Sequence, residues 1–297
     1  MFENLPFTKL SKEPLNSWFR NQSGKFVVQP KIDGEDLLII KPATGDPYAI
    51  NRHNTIYSVQ DLLMLESLKP WINVVMRGEM TSGQKVFDLR SALKRHPETI
   101  RIIVHDVIYL GAEDLRSFTL RDRQTLLHSL VPGFPSQMEL ITPLGEEGSM
   151  AEIVDLFETA VATGREGVVV KPLSSIYKNN AWLKLKRFDS HDVLLTGARK
   201  ADIHDSIPWS WRMEAFINEK QTYIGDVSSG PTLEERAKII RPTAKEDRQY
   251  IYFDKPFVAT VRCQEILRTN GELRFRHPVL VRTREDKPES ECVIRVA

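Results

Sequence analysis

Hydrophobic positions along the chain alternate between two patterns. Short β-branched and aromatic runs, KFVVQPKI, DLLIIKP, NVVMRGEM, IRIIVHDVIYL and EGVVVKP, predict buried strands. Between them, SVQDLLMLESL, LRDRQTLLHSL and MAEIVDLFETAVA carry apolar residues at spacings of three and four, which predicts amphipathic helices. Together they imply an α+β core of sheets and helices over residues 1–188. Beyond Phe188 the pattern shifts to short strands broken by turns: DVLLTGARK, MEAFINE, QTYIGDVSS, YIYF, FVATVRCQEIL and ELRFRHPVLVRTRE. A single helix, PTLEERAKII, interrupts them, opened by proline and threonine. Strands with one inserted helix over residues 189–297 predict a small Greek-key barrel of the OB type, joined to the core by a short hinge at Arg187–Ser190.

Composition narrows the class. A chain of 297 residues with 41% hydrophobic content buries a substantial core. No stretch of about 18 consecutive apolar residues occurs and the N-terminus lacks a signal-like apolar run, so a cytoplasmic or nucleoid-associated protein that spans no membrane is expected. Cys263 and Cys292 are too few for a disulfide framework and lack metal-type clustering; two reduced thiols and no zinc are expected. Net charge is only +1, yet Arg262 to Lys287 holds seven Lys or Arg against four acids. Such a stretch is either a solvated charged face or a phosphate-binding surface.

Chemistry concentrates at Lys31-Ile32-Asp33-Gly34, which lies between KFVV and LLII and so places a lysine at the turn between two strands. A lysine there is a solvent-facing turn residue or a nucleophile. An amine with a pKa of about 10.4 is neutral about one time in a thousand near pH 7.4, a handicap of ~4 kcal/mol that surrounding cations must reduce. Lys184 and Lys186 alternate within WLKLK, the period that aims both at one cavity.

Five further motifs follow Lys31 in order: Arg77-Gly78-Glu79, His105-Asp106, Glu166-Gly167-Val168-Val169-Val170-Lys171, Trp182-Leu183-Lys184-Leu185-Lys186 and Arg282-Thr283-Arg284-Glu285-Asp286-Lys287-Pro288. This ordered set resembles the covalent nucleotidyltransferase superfamily of DNA ligases, RNA ligases and mRNA-capping enzymes. The tail LRFRHPVLVRTREDKPESEC is similar to the last motif of ATP-dependent DNA ligases. The resemblance implies a nucleotidyltransferase (adenylation) domain followed by an OB-fold barrel. It implies ATP as AMP donor, Mg²⁺ (or Mn²⁺) as metal and nicked duplex DNA as partner. Lys31 would be the nucleophile, assisted by Lys184 and Lys186, with Asp33 positioning the 3′-OH.

By the same resemblance, Glu166 supports the metal, and Glu79 contacts the metal or the ribose. Gln29 and His105 contact the adenine, and Arg52 meets the nucleotide and then the DNA 5′-phosphate. Arg284, Asp286 and Lys287 would reach the β- and γ-phosphates of ATP, with the barrel closing as a lid. Arg274 and Arg276, within the cationic stretch, are candidate DNA contacts. The chain begins about 30 residues before Lys31, which by this resemblance gives a minimal two-domain, monomeric ligase suited to repair.

Two positions depart from the family pattern: Asp36 stands where many ligases carry arginine, and His105 where a phenylalanine usually stacks on the purine. The rival readings are an RNA ligase or capping-type enzyme that uses the same lysine, and a non-catalytic OB-type nucleic-acid-binding protein.

Overall fold

The computed structural model describes residues 10–11, 14–82, 89–204, 207–239, 241–269 and 272–294. The chain forms two compact units, residues 1–186 and 187–297.

Two sheets build the first unit. In the larger, β2 (Glu35–Lys41) pairs antiparallel with β3 (Tyr48–Asn51) and β4 (Val74–Thr81), and β4 pairs with β5 (Arg101–Leu110). The smaller sheet is wholly antiparallel: β1 (Phe26–Pro30) lies between β6 (Gly145–Glu147) and β7 (Gly167–Pro172), and β8 (Leu183–Lys186) pairs with β7 at one edge.

The apolar runs are unbroken because both faces of these strands are covered. Leu37 and Ile39 of β2 join Met76, Met80, Ile102 and Val104 in one core, whereas Leu38 and Ile40 turn to a second core with Val27, Val75 and Trp182. Phe26, Val28, Val168, Val170 and Leu183 pack against Ile153 and Ala160 of the helix Met150–Ala162. Burying each large aliphatic side chain stabilises the fold by about 1.5–3 kcal/mol. The second core is therefore shared by both sheets, and polar side chains on the same two inner faces line a cleft.

Side-chain caps fix the helix starts. Thr119 accepts from the Asp122 N–H before Leu120–Leu130, and Ser149 and Glu152 form a reciprocal capping box before Met150–Ala162. The segment SVQDLLMLESL differs from its expected helix. The Asp61 carboxylate accepts from both the N–H and the hydroxyl of Ser58, which competes with helical bonding, and only a 3₁₀ turn, Leu63–Leu68, follows. Its apolar spacing serves burial all the same, since Leu62, Met64, Leu65 and Leu68 sit in the larger sheet's outer core.

In the second unit, β9 (Asp189–Arg199) pairs with β10 (Trp211–Ile217) and with the long β12 (Tyr250–Cys263). The strand β11 (Lys220–Val227) extends one side of the sheet, while β13 (Glu265–Thr269) and β14 (Glu272–Arg276) form a hairpin, and β15 (Val279–Thr283) returns to β12. Bulges at Leu195/Gly197, Met213/Glu214 and Thr260/Val261 curl the sheet. It wraps Val193, Leu195, Trp211, Met213, Val261 and Phe275 into one core, a barrel-like arrangement. One helix, Leu233–Lys238, interrupts the strands behind a Thr232–Glu235 capping box. Cys263 and Cys292 are free and buried. Among the described residues no helix is long and apolar enough to cross a membrane.

Candidate active site

Lys31 directly follows β1. Its backbone N–H donates to the Gly167 carbonyl at 2.9 Å, continuing the β1–β7 ladder past Pro30. Its side chain reaches the residue just before β7: Lys31 Nζ donates to Glu166 Oε2 at 2.5 Å. Lys186 Nζ takes the other oxygen, also at 2.5 Å, so one carboxylate stands between two ammonium groups. Glycines allow this approach. A Cβ on Gly167, whose φ is +151°, would overlap the Leu185 carbonyl of β8, and one on Gly34 would overlap the Met80 carbonyl of β4.

Strand alternation delivers the remaining groups. Gln29, Val169 and Lys184 face one another in register across β1, β7 and β8, and Lys186 lies two residues beyond Lys184. A cleft of about 500 Å³ opens here, with Gln29, Lys31, Glu79 and His105 in its lining. Gln29 is 2% exposed, and its Oε1 has no hydrogen-bond partner. A buried acceptor left unpaired costs about 1–3 kcal/mol, a penalty that a ligand donor would relieve.

Asp36, Arg77, Lys171 and Trp182 also line the cleft, beyond the residues that the sequence singled out as its site. A signal for two of them was present: Arg77 and Lys171 lie two residues along a strand from Glu79 and Val169, on the same face. Arg77 binds Asp36 through two parallel hydrogen bonds, Nε to Oδ1 at 2.8 Å and Nη2 to Oδ2 at 2.5 Å. Lys171 is buried, with Nζ 4.0 Å from the centroid of the Trp182 ring and 3.5 Å from His105 Nδ1. Behind them, Arg123 of the helix Leu120–Leu130 makes a fully buried two-bond pair with Asp106 of β5, which anchors the strand carrying His105.

Desolvation governs the titration of this cleft. Burial, and then the neighbouring Asp36 charge, push the Glu79 carboxyl up to about 8, against the opposing pull of Lys31 and Arg77. Burial brings Lys171 down to about 7, with Arg77 and Arg123 acting in the same direction. Burial also holds His105 well below the usual imidazole range, reinforced by Lys171, so its ring is neutral.

Other residues expected at the site lie elsewhere. Arg52 is exposed, donates to His53 Nε2 at 3.2 Å and is absent from the cleft lining, as is Asp33 in the turn before β2. Arg274 donates to the Tyr223 carbonyl and to Glu272, and Arg276 pairs with Glu265 at 3.9 Å, all within the second unit. In the same unit Arg284 binds Asp286 through two bonds, at 2.8 and 2.7 Å, and Lys287 donates to Asp192 at 2.6 Å. Asp286 is drawn down to about 2 by the Arg284 guanidinium.

The donor chemistry fits a hard cation. The Glu79 carboxylate makes no hydrogen bond or ion pair among the described residues, and its oxygens are the ligand type that Mg²⁺ takes. Donor atoms of Asp36, Glu79 and His105 lie within 4.8 Å of one another; Glu166 is outside that group, its two oxygens being held by Lys31 and Lys186.

A family model described as the ATP-dependent DNA ligase domain matches residues 8–186, the unit that carries this cleft. The chain belongs to the ATP-dependent DNA ligase family. Among its curated ligase relatives, DNA ligase 2 of Thermofilum pendens is 27% identical over 180 residues, covering 54% of this chain and 29% of the relative. The DNA ligase of Sulfolobus acidocaldarius is 25% identical over 334 residues, covering 91% of this chain and 54% of that ligase. The chain thus spans between about a third and about half of these ligases. A solved mycobacterial DNA ligase D shares the ligase fold across 99% of this chain and 100% of its own, with a TM-score of 0.53 and 22% identity.

Proposed function

We propose that this chain seals nicks in duplex DNA with ATP, through a lysyl-AMP and a DNA-adenylate. The observation that carries the reading is the carboxylate of Glu166 held between Lys31 and Lys186 beside the cleft. The amine is thereby aimed by one carboxylate, and a second ammonium lies close enough to offset charge on a phosphate.

In the first step Lys31 gives up a proton to solvent, its lone pair forms a P–N bond to the α-phosphorus of ATP, and the bond to pyrophosphate breaks. A DNA 5′-phosphate oxygen then displaces Lys31 from the AMP, and the amine regains its proton. Finally the 3′-OH attacks the activated phosphate, AMP leaves, and the strand is continuous. Every step is a displacement at phosphorus, for which positioning and charge stabilisation carry most of the catalysis. Mg²⁺ (or Mn²⁺), bound through the carboxylates of Glu79 and Glu166, would supply further neutralisation of phosphate charge.

The orphan acceptor of Gln29 suits the amino group of adenine, and the neutral ring of His105 offers a stacking surface. Lys184 is assigned to the phosphate, Asp33 to the 3′-OH, and Arg52 to the 5′-phosphate at the nick. Arg284, Asp286 and Lys287 are assigned to the departing pyrophosphate, and Arg274 and Arg276 to the DNA backbone.

The test uses a 5′-labelled nicked duplex with Mg²⁺ and either ATP or NAD⁺, read on a denaturing gel. A longer strand with ATP alone, absent for Lys31→Ala, is the expected result. Label transfer from ATP or GTP to the protein without DNA joining would shift the assignment to RNA ligation or capping. An adduct that persists in Lys31→Ala would overturn the mechanism.

A further inference from the structure

In the second unit the residues that follow β15 cross one face of the sheet. Val193, Leu195, Ala259 and Val261 point to the barrel core, so their neighbours Asp192, Leu194, Val258 and Thr260 point to the opposite, outer face. The crossing segment is tacked there at both ends. The Arg284 N–H donates to the Val258 carbonyl of β12 at 2.7 Å, and the Phe216 N–H of β10 donates to the Cys292 carbonyl, also at 2.7 Å. The Cys292 side chain packs on Leu194 and Val258.

Between the tacks the segment meets the carboxylate of Asp192. Asp192 Oδ2 accepts from Lys287 Nζ at 2.6 Å and from Arg284 Nη1 at 3.5 Å. The carboxylate is itself fixed: Thr260 stands opposite Asp192 in the β9–β12 ladder, and its hydroxyl donates to Oδ1 at 2.6 Å. A long cationic side chain has many rotamers to lose before it can serve a phosphate, and a carboxylate rooted in an interior strand restricts them in advance. Asp192 cannot meet a polyphosphate directly, since like charges repel. It leaves donors that can. Of its three N–H bonds the Lys287 ammonium uses one on Asp192 and one toward Glu291, at 3.3 Å. The Arg284 fork turns Nε and Nη2 to Asp286 and Nη1 to Asp192, and its five hydrogens exceed those three bonds.

We propose that Asp192 is a positioning residue for lysyl-AMP formation, holding the Lys287 ammonium and the Arg284 guanidinium where they meet the departing pyrophosphate. The proposal rests on the ligase reading above and on its assignment of these two cations. Joining of an already adenylated nick releases no pyrophosphate and does not call on Asp192.

The experiment follows two reactions of the whole chain: transfer of α-³²P label from ATP to the protein, and sealing of a nicked duplex that already carries a 5′-adenylate. Asp192→Asn, which keeps the shape and removes the charge, should lower kcat for labelling about 10-fold and leave sealing of the adenylated nick within about 2-fold of the parent. Thr260→Val, which releases Asp192 Oδ1, should give the same selective loss at smaller size. Adding Asp192→Asn to Lys287→Ala should cost well under the product of the two single losses, because the carboxylate acts through that lysine. Melting temperatures report folding, and the milder Thr260→Val decides the matter if Asp192→Asn does not fold. Losses that multiply, or equal slowing of both reactions in a folded variant, would overturn the proposal. So would faster labelling by Asp192→Asn, which would make the carboxylate a rival of ATP for the two cations. Lys287→Ala that takes label at the parent's rate would instead remove the pyrophosphate assignment, and a parent that takes no label from ATP would remove the ligase reading itself.

Discussion

The molecule carries two clusters of ion pairs whose environments differ. In the first unit, Lys31, Glu166 and Lys186 sit beside a cleft where burial dominates: Glu79 is driven up to about 8, Lys171 down to about 7, and His105 loses its charge. In the second, Arg284 and Lys287 meet Asp192, Asp286 and Glu291 near solvent, and each resolved shift there favours the charged form. The cleft beside the first cluster holds Glu79, Lys171 and His105 with titrations that burial has moved away from their values in water, which is characteristic of a reactive site. The second is a set of self-neutralised pairs. The same residue types thus take opposite electrostatic characters according to how much water their strands exclude.

The comparison breaks first at Glu166. Glu166→Gln removes the charge between Lys31 and Lys186 while keeping the side chain's shape, and a loss of about 100-fold or more in the single-turnover rate of AMP transfer is expected. Wild-type rates for this variant would show that the carboxylate aims nothing.

A smaller and more diagnostic effect concerns pH. The folded-state pKa of Glu79 is raised, so the folded protein holds a proton that the unfolded chain releases, and stability should fall as pH rises from about 4.5 toward 8. For Lys171 the folded pKa is lowered, so its burial penalty is largest below about 7 and fades as pH rises toward 10.5. The two slopes oppose each other between about 7 and 8. Glu79→Gln should therefore be more stable than the parent at pH 8 by a few kcal/mol at most, with little difference at pH 4.5, and less active throughout. Urea titrations at the two pH values measure this, and an unchanged pH dependence would mean that Glu79 titrates normally.

The smallest effect belongs to the second cluster. Lys287→Ala breaks only near-surface pairs, so its melting temperature should stay within about 2 °C of the parent while the rate of lysyl-AMP formation falls. A large thermal loss would make this lysine structural.

Much of this was legible in the chain. The valine- and isoleucine-rich runs became strands because both their faces are covered, and the proline and threonine that open PTLEERAKII stand where its helix begins, behind a purely local cap. Gln29, Lys31, Glu79 and His105 could be named from their motifs, and the cleft gathers all four. The segment from Ser58 to Leu68 deceived because helical spacing also describes a buried 3₁₀ turn, and the deciding bonds from Ser58 to Asp61 leave no trace in hydrophobic pattern. The Asp36–Arg77 pair joins residues 41 apart in the chain, so neither position alone revealed the clamp.

Coverage of β2 on both faces has a further consequence for binding entropy. A strand with one core on either side has few conformations to lose, so Asp36 and its neighbour across the ladder stand in place before a nucleotide arrives. A ligand entering the cleft then meets a wall whose ordering cost was met during folding.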